Sequence, residues 1–254
     1  MANPNITLSN LTSSNSDTTL AKAGDTITVN IEISNVDVST PSITFTSGGN
    51  NVTNNNNITY TGTSPGRSFT ARYTVHADDT DGAVAASCTA TTSADNTGSA
   101  DSISGTGVTV DVTPPAAFTT GAVVTTGGTV VANRLNTSNT NVQVTVPIAN
   151  DATLTGGTIQ LQMKVGANAY ANIGSAATIA VDNLNGTQNV TITDDNIEAA
   201  TNYAEGEVLT FNAIITDLAG NATTGTASGT TLTVDQAAPA FSEISLTTNT
   251  SVNT

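Results

Sequence analysis

Apolar and polar residues alternate along most of the chain, and this period of two predicts β-strands. Runs such as "DTITVNIEI", "SITFTS" and "AVAASCTATT" place an apolar side chain at every second position. Val, Ile and Thr, which suit a half-buried strand, recur in these runs. Only "DDNIEAATNY" (194–203) has a helix-like pattern. The pattern therefore predicts an all-β protein with one short helical turn.

The sequence also contains an internal repeat. When the chain is shifted by 124 positions, Val110-Asp111 overlies Val234-Asp235, and "DGAVAASCTA" overlies "EGEVLTFNAI". Each copy contains about seven predicted strands, which is typical of an immunoglobulin-like β-sandwich. We therefore expect one such domain over residues 1–112 and a second over 113–236. Residues 237–254 then read as the first strand of a third repeat, or as a donor strand.

The composition excludes several functions. The chain of 254 residues carries 20 Asp and Glu against 5 Lys and Arg, a net charge of −15, which disfavours nucleic acid as a partner. No apolar stretch is long enough to predict a membrane span. A single His, His76, cannot build a Ser-His-Asp triad or a multi-His zinc site. The lone Cys88 predicts a small buried side chain, and we expect the protein not to be an enzyme.

Several phrases resemble the immunoglobulin-like tandem repeats of giant bacterial surface adhesins and surface-layer-like proteins. These phrases are "AKAGDTITVNI", "DTDGAV", "VPIANDATLTGGTIQLQ" and "ITDLAGNATTGTASGTTLTVDQAAP". The first copy departs from the pattern, with "ATTSADNTG" where the second has "IITDLAGNA". The resemblance implies an extracellular, cell-surface, non-enzymatic stalk that is often stiffened by calcium.

Acidic residues concentrate where each sandwich should end. In such a sandwich the connection before strand six lies beside the end of strand seven, at the end where the chain leaves, here called the C-terminal pole. In the first copy this pole should gather Asp78, Asp79, Asp81 and Asp111. In the second copy it should gather Asp194, Asp195, Glu198, Glu205, Glu207 and Asp235.

The opposite end, here called the N-terminal pole, carries fewer acids. It should hold Asp37 and Asp95 in the first copy, and Asp151, Asp217 and Asn221 in the second. If the copies stack, the C-terminal pole of the first faces the N-terminal pole of the second across "DVTPP". We then expect the following residues to converge: Asp81, Asp111, Asp151, Asp217 and Asn221.

Carboxylates crowded in this way repel one another unless a cation joins them. Ca²⁺ accepts about six to eight oxygen ligands in flexible geometry, which suits Asp, Asn and backbone carbonyls. The sequence therefore predicts Ca²⁺ at the poles. The alternative is that these are solvated turn residues, because Asp and Asn favour turns.

Three functions compete at this point. The first is a calcium-stiffened segment of a surface stalk, adhesin or surface layer, with neighbouring repeats, and a host or surface ligand, as partners. The second is a self-assembling filament or layer of identical subunits joined by a terminal strand. That strand would bury Phe241, Ile244 and Leu246 in the next subunit. The third is a glycan- or ice-binding module that uses the Thr- and Asn-rich faces.

Overall fold

The computed structural model describes residues 2–53, 57–100, 103–104 and 107–238. These residues form two β-sandwiches, one after the other along the chain, each around its own hydrophobic core. One core contains buried side chains from Ile6 to Val110, and the other contains buried side chains from Val123 to Val234. No helix among the described residues has the length and apolar character that crossing a membrane requires.

The first domain pairs its strands in two facing sheets. One sheet has the order β10-β1-β3-β7-β6, and the other has the order β2-β11-β8-β4-β5 with β9 paired to β8. The strands are β1 (Ile6–Ser13), β2 (Leu20–Ala21), β3 (Thr26–Ile33), β4 (Ser42–Ser47), β5 (Asn50–Asn51), β6 (Thr59–Thr61), β7 (Ser68–Thr74), β8 (Gly82–Thr91), β9 (Thr97–Ala100), β10 (Ile103–Ser104) and β11 (Thr109–Val110).

The second domain repeats this arrangement. One sheet has the order β12-β14-β18, and the other has the order β13-β21-β19-β15-β16 with β17 and β20 at its margins. The strands are β12 (Val123–Thr126), β13 (Arg134–Leu135), β14 (Asn141–Ile148), β15 (Thr158–Val165), β16 (Ala171–Asn172), β17 (Ala177–Thr178), β18 (Gly186–Thr193), β19 (Val208–Thr216), β20 (Ala222–Thr224) and β21 (Leu232–Val234). The predicted helical turn is α1 (Asp194–Glu198), and two 3₁₀ turns span Ala152–Leu154 and Val181–Asn183.

Alternation of side chains explains why these segments form sandwiches. In β3 and β14 every second residue is buried, so each strand turns one apolar face to the core. In immunoglobulin nomenclature the sheets read A-B-E-D and A′-G-F-C-C′ in the first domain, and A-B-E and A′-G-F-C-C′ in the second. The predicted all-β fold with two tandem immunoglobulin-like sandwiches is confirmed.

The two domains differ where the first strand leaves its sheet. In the first domain β1 stays paired with β3 from Ile6 onward, with Thr7 opposite Glu32. In the second domain the position of Glu32 is taken by Pro147, which has no N–H to donate. The ladder accordingly starts beyond it, where the Gly121 N–H donates to Thr145 O (2.8 Å), and the preceding segment pairs with the other sheet instead. Pro147 thus also protects this edge of β14 against an added strand.

Asp79, one of the four acids predicted at the C-terminal pole of the first domain, is buried in the connection between β7 and β8. The residue is 6% exposed, and its carboxylate accepts hydrogen bonds from Tyr73 Oη (2.6 Å), Thr53 N (2.7 Å) and His76 N (2.9 Å). These bonds fix the turn that follows β7 and tie it to a second segment of the first domain at Thr53. Asp79 is therefore a structural residue, and its neighbour Asp78 is exposed.

The predicted C-terminal strand lies outside the described residues. Phe241, Ile244 and Leu246 belong to this part of the chain, so their proposed role in assembly stays a prediction. Within the described residues, each sandwich already contains its A, B, C, E, F and G strands.

Replacement of Asp79 by Asn should lower the free energy of unfolding by about 2–4 kcal/mol at pH 7, because a buried, multiply bonded carboxylate is lost. Burial raises the pKa of Asp79, but its hydrogen bonds outweigh burial and hold that pKa below its ordinary value. The wild-type carboxylate thus stabilises the fold above the unfolded pKa of about 4, and this contribution is lost as the pH falls through the lowered pKa.

Urea unfolding monitored between pH 2 and pH 7 measures both effects. Asp78→Asn is the matched control and should change stability by less than about 0.5 kcal/mol. Equal stability of the two variants at pH 7 would contradict the structural role of Asp79.

Candidate functional site at the domain junction

A tight turn of the second domain, residues 217–221, forms one half of the junction. It joins β19 to β20 and is closed by a bond from Asp217 N to Asn221 O (3.0 Å). The Asp217 carboxylate accepts from Gly220 N (2.7 Å) and Asn221 N (2.8 Å), which fixes the turn from inside. Gly220 has φ +96°, a left-handed conformation that favours glycine. The turn is therefore held in one shape by its own residues.

Side chains of the first domain hold the tip of this turn through its backbone carbonyls. Asn15 Nδ2 donates to Ala219 O (2.9 Å), and Lys22 Nζ donates to Gly220 O (2.7 Å). Asn15 is in turn held by Asp25, whose carboxylate also accepts the backbone N–H of Lys22. These contacts couple the two domains directly, in addition to the covalent linker.

A third bond between the domains comes from the second domain. Asn221 Nδ2 donates to the backbone oxygen of Asp111 (2.8 Å) and to Asp217 Oδ2 (3.0 Å). The Asn221 amide therefore joins the last residue of one sandwich to the turn of the next. In this position its N–H groups, and not its oxygen, face the Asp111 carbonyl and the Asp217 carboxylate.

Apolar side chains complete the contact. Leu20 and Val110 of the first domain line a cleft of about 300 Å³ together with Leu218 and Ala219 of the second. Ala219 is 3% exposed. Hydrogen bonds and a small apolar contact thus act together at the junction.

The Asp111 carboxyl is the group most affected by this arrangement. It is 7% exposed and accepts a bond from Thr113 N (3.2 Å). The pKa of Asp111 is raised to about 6, first by burial and then by the nearby carboxylates of Asp217, Asp81 and Asp151, while the Thr113 bond lowers it in part. An ionised Asp111 is therefore disfavoured in the folded protein.

Two of these neighbouring carboxylates stabilise local backbone. Asp81 accepts from Val112 N (2.7 Å) and from the Thr113 hydroxyl, so it holds the start of the linker. Asp151 caps the 3₁₀ turn and accepts from Thr153 N (2.9 Å) and Thr153 Oγ1 (2.7 Å). Each carboxylate thus has a structural partner as well as a place near Asp111.

The donor chemistry at this junction suits Ca²⁺, because the groups are carboxylate, amide and carbonyl oxygens. Among the described residues, however, no three His, Cys, Asp or Glu side chains are arranged so that they could hold one ion. The raised pKa of Asp111 does not conflict with this, since charge repulsion acts over several ångströms whereas Ca²⁺–oxygen bonds measure about 2.3–2.6 Å. The structure groups Asp81, Asp111, Asp151, Asp217 and Asn221 at one junction, and Ca²⁺ binding there stays a prediction.

The C-terminal pole of the second domain holds three other predicted residues. Glu205 accepts from Gln236 N (2.6 Å), as Asp81 does from Val112 N in the first domain. Asp235 is exposed, with Arg134 Nε 4.0 Å away. Glu207 is half-buried beside Gly166.

The remaining two predicted residues lie at the N-terminal pole of the first domain, away from the junction. Asp37 forms an exposed ion pair with Arg67 (2.6 Å). Asp95 is exposed at the tip of a turn, with φ +61°.

Two side chains of the first domain that bind the second, Asn15 and Lys22, are not among the residues predicted from the sequence. Lys22 carries a usable signal, because the chain has only five Lys and Arg and this one lies in a turn beside the C-terminal pole. Asn15 carries no such signal, since Asn is abundant throughout the sequence.

No protein-family model and no curated protein sequence matches the chain. Among solved structures, an I-band fragment from titin is 12% identical with a TM-score of 0.38, and the match covers 92% of this chain and 66% of that one. A marsupial T cell receptor is 12% identical with a TM-score of 0.31, covering 88% and 96%. A second titin fragment is 10% identical with a TM-score of 0.27, covering 93% and 100%.

The chain thus spans just under two thirds of the first titin fragment. All three TM-scores lie below 0.5, which is too low for these likenesses to indicate a function. The assignment of the fold rests on the strand order described above.

Replacement of Asp111 by Asn should stabilise the protein at pH 7.5 by about 1–2 kcal/mol, because it removes a buried charge among other carboxylates. The pKa of about 6 in the folded state lies above the unfolded value. Wild-type stability should therefore increase as the pH falls from about 7 to about 4, and Asp111→Asn should lack this contribution.

Calorimetric melting in EGTA buffer over this pH range tests the difference. Asp182→Asn, in an exposed turn of the second domain, is the control. A wild type and an Asp111→Asn variant with the same pH dependence would refute the assignment.

Proposed function

We propose that the chain is a segment of an extracellular structural protein, in which immunoglobulin-like domains follow one another along a cell-surface stalk, adhesin or surface layer. The observation that carries this proposal is the seating of the 217–221 turn on the C-terminal pole of the first domain. Two domains joined only by a linker move independently by default. Contacts at the facing poles instead favour a fixed end-to-end arrangement, which a load-bearing or spacing element needs.

The linker supports the same arrangement. Pro114 and Pro115 restrict its backbone, because proline fixes φ. Thr223 Oγ1 donates to Pro115 O (2.6 Å), which ties the linker to the second domain. Asp81 holds its other end through Val112 N. The two domains are therefore connected both by a restrained linker and by the docked turn.

Calcium is the second part of the proposal. The Asp111 carboxyl is buried among Asp81, Asp151 and Asp217, and this repulsion favours a divalent cation that would join them. Asp81, Asp111, Asp151 and Asp217 are the side chains that would supply its ligands. Their carboxylates would have to move closer together than in this structure, and the Asn221 amide would have to turn its oxygen inward. Binding would reduce the repulsion across the junction and stiffen it.

Assembly by exchange of a terminal strand has less support. Within the described parts of both domains the A, B, C, E, F and G strands are already in place, so a donor strand would not replace any of these six. The edge of β14 is also protected by Pro147. We therefore retain the structural segment as the proposed function.

Combined replacement of Lys22 and Asn221 by Ala should release the second domain from the first. Two hydrogen bonds between domains are lost, which weakens docking by about 1–3 kcal/mol. ¹⁵N relaxation should show the two domains tumbling together in the wild type and with shorter, separate correlation times in the variant. The combined Lys164→Ala and Asn172→Ala variant, on the outer face of the second domain, is the matched control. A wild type whose domains already tumble separately would refute the proposed function.

Titration with CaCl₂ should release or absorb heat with a Kd on the order of 10⁻⁴ to 10⁻³ M, and it should raise the melting temperature. Asp217→Asn should weaken this binding, because a carboxylate is lost at the junction, while Asp182→Asn should leave it unchanged. Isothermal and scanning calorimetry measure the two quantities. Neither heat nor a raised melting temperature with excess Ca²⁺ would end the calcium proposal and leave the docked junction standing.

A further inference from the structure

The first domain carries the same turn with which the second domain docks. In residues 92–96, Thr92 N donates to Asn96 O (3.0 Å), as Asp217 N does to Asn221 O. The Thr92 hydroxyl accepts the backbone N–H of Asn96 (3.2 Å), in the place of the Asp217 carboxylate. Asp95 adopts a left-handed conformation, as Gly220 does. The N-terminal pole of the first domain therefore presents an exposed turn of the docking shape.

The C-terminal pole of the second domain likewise repeats the surface that receives the turn. Asn136 N donates to Asn139 Oδ1 (2.9 Å), as Lys22 N does to Asp25 Oδ2 (2.8 Å). The short parallel pairing of β13 with β21 matches that of β2 with β11, residue for residue. Asp235 N donates to Leu135 O (2.8 Å), as Asp111 N does to the matching carbonyl in the first domain.

These correspondences identify the side chains that replace one another. At the receiving pole Arg134 stands at the position of Leu20, and Asn136 stands at that of Lys22. In the docking turns the matching pairs are Ser93 for Leu218 and Asp95 for Gly220.

Within each pair of facing surfaces, the receiving pole and the docking turn are matched in polarity. At the existing junction, apolar Leu20 shares a cleft with apolar Leu218, and the Lys22 ammonium meets the bare carbonyl of Gly220. At Gly220 an added Cβ would lie 3.1 Å from Lys22 Nζ, so the absence of a side chain there fits the lysine. The junction within the chain is thus matched in both polarity and space.

The two remaining surfaces are matched in a different way. The receiving pole of the second domain offers a cation, Arg134, and an amide, Asn136. The docking turn of the first domain offers a hydroxyl, Ser93, and a carboxylate, Asp95. If the backbone framework is kept, Arg134 and Asn136 face these two polar groups.

We propose that the C-terminal pole of the second domain binds the N-terminal pole of the first domain of a second copy of this chain, head to tail. The contact uses the geometry of the junction within the chain, so that Arg134 faces Ser93, Asn136 faces Asp95, and the Arg134 charge lies beside the Asp95 carboxylate. It rests on the proposed function, because it extends the same end-to-end arrangement from two domains to successive chains.

The surroundings set the conditions for this contact. Arg134 is about half exposed, and its Nε also lies 4.0 Å from Asp235 Oδ2, so Asp235 and a partner carboxylate would compete for its charge. Glu198 and Glu205 lie at the same pole, where they bind Gln236. The contact lacks the covalent linker that raises the effective concentration at the junction within the chain. Association should therefore be weak, detectable at high protein concentration and reduced by salt.

Sedimentation equilibrium of the full chain, from about 10 μM to about 1 mM in about 2 mM CaCl₂, measures this association. The average mass should rise with concentration. Arg134→Glu alone and Asp95→Lys alone should each raise the apparent Kd by about tenfold, because each places like charges close together in the contact. A mixture of the two single variants should associate with the wild-type affinity to within about twofold, since each contributes one swapped surface that faces the other.

Arg72→Glu, on the outer face of the first domain, is the control for a change of net charge. Each variant is accepted only if its melting temperature stays near that of the wild type. A mass that stays at one chain up to about 1 mM would overturn the proposal. Association that is unaffected by both charge reversals would also overturn it and would favour another surface, including a terminal strand.

The two proposals fail separately. If ¹⁵N relaxation shows one rigid pair of domains but the chain stays monomeric, the head-to-tail contact is wrong and the structural segment stands. If the domains tumble independently, the junction on which both rest is absent.

Discussion

The placement of the second domain on the first depends on one short turn. Residues 217–221 present backbone carbonyls that Asn15 and Lys22 of the first domain bind, and the turn keeps its shape because its own Asp217 carboxylate holds the backbone N–H groups. A backbone carbonyl is a rigid acceptor and loses no side-chain entropy when it is bound. The junction is therefore positioned by parts of the chain that are already ordered within each sandwich.

The acidic residues act in two opposite ways in this structure. Asp79 and Asp81 accept backbone N–H groups and stabilise the loops in which they lie. Asp111 accepts one such bond, yet it is buried near three other carboxylates, so its charge is costly. The difference arises because nearby backbone N–H groups satisfy the carboxylates of Asp79 and Asp81. At Asp111 the docked second domain instead adds burial and the repulsion of its own carboxylates. Some of the negative charges thus stabilise the fold, while that of Asp111 destabilises the junction.

The two domains repeat one backbone framework at their poles but present different side chains there. The turns at 92–96 and 217–221 share their backbone bonds, but they present a carboxylate in one case and a bare glycine in the other. The receiving poles likewise exchange a leucine for Arg134. A backbone framework can be conserved between copies of a domain while a few exposed side chains decide which pole fits which.

The sequence by itself determined the all-β class, the repeat and most strands, because alternation and turn residues act locally and leave a direct pattern. It also placed Asp111, Asp217 and Asn221 at facing poles, since the order of strands in such a sandwich dictates where each loop lies. Tertiary structure alone decided that Asp79 turns inward to Tyr73 and that Asn221 presents its N–H groups to Asp111. It also decided that Lys22 crosses to the next domain. The contacts of Asn221 and Lys22 join groups 110 and 198 positions apart in the chain, and no local pattern encodes such a meeting. The inward turn of Asp79 depends on the buried position that the fold gives to the Tyr73 ring.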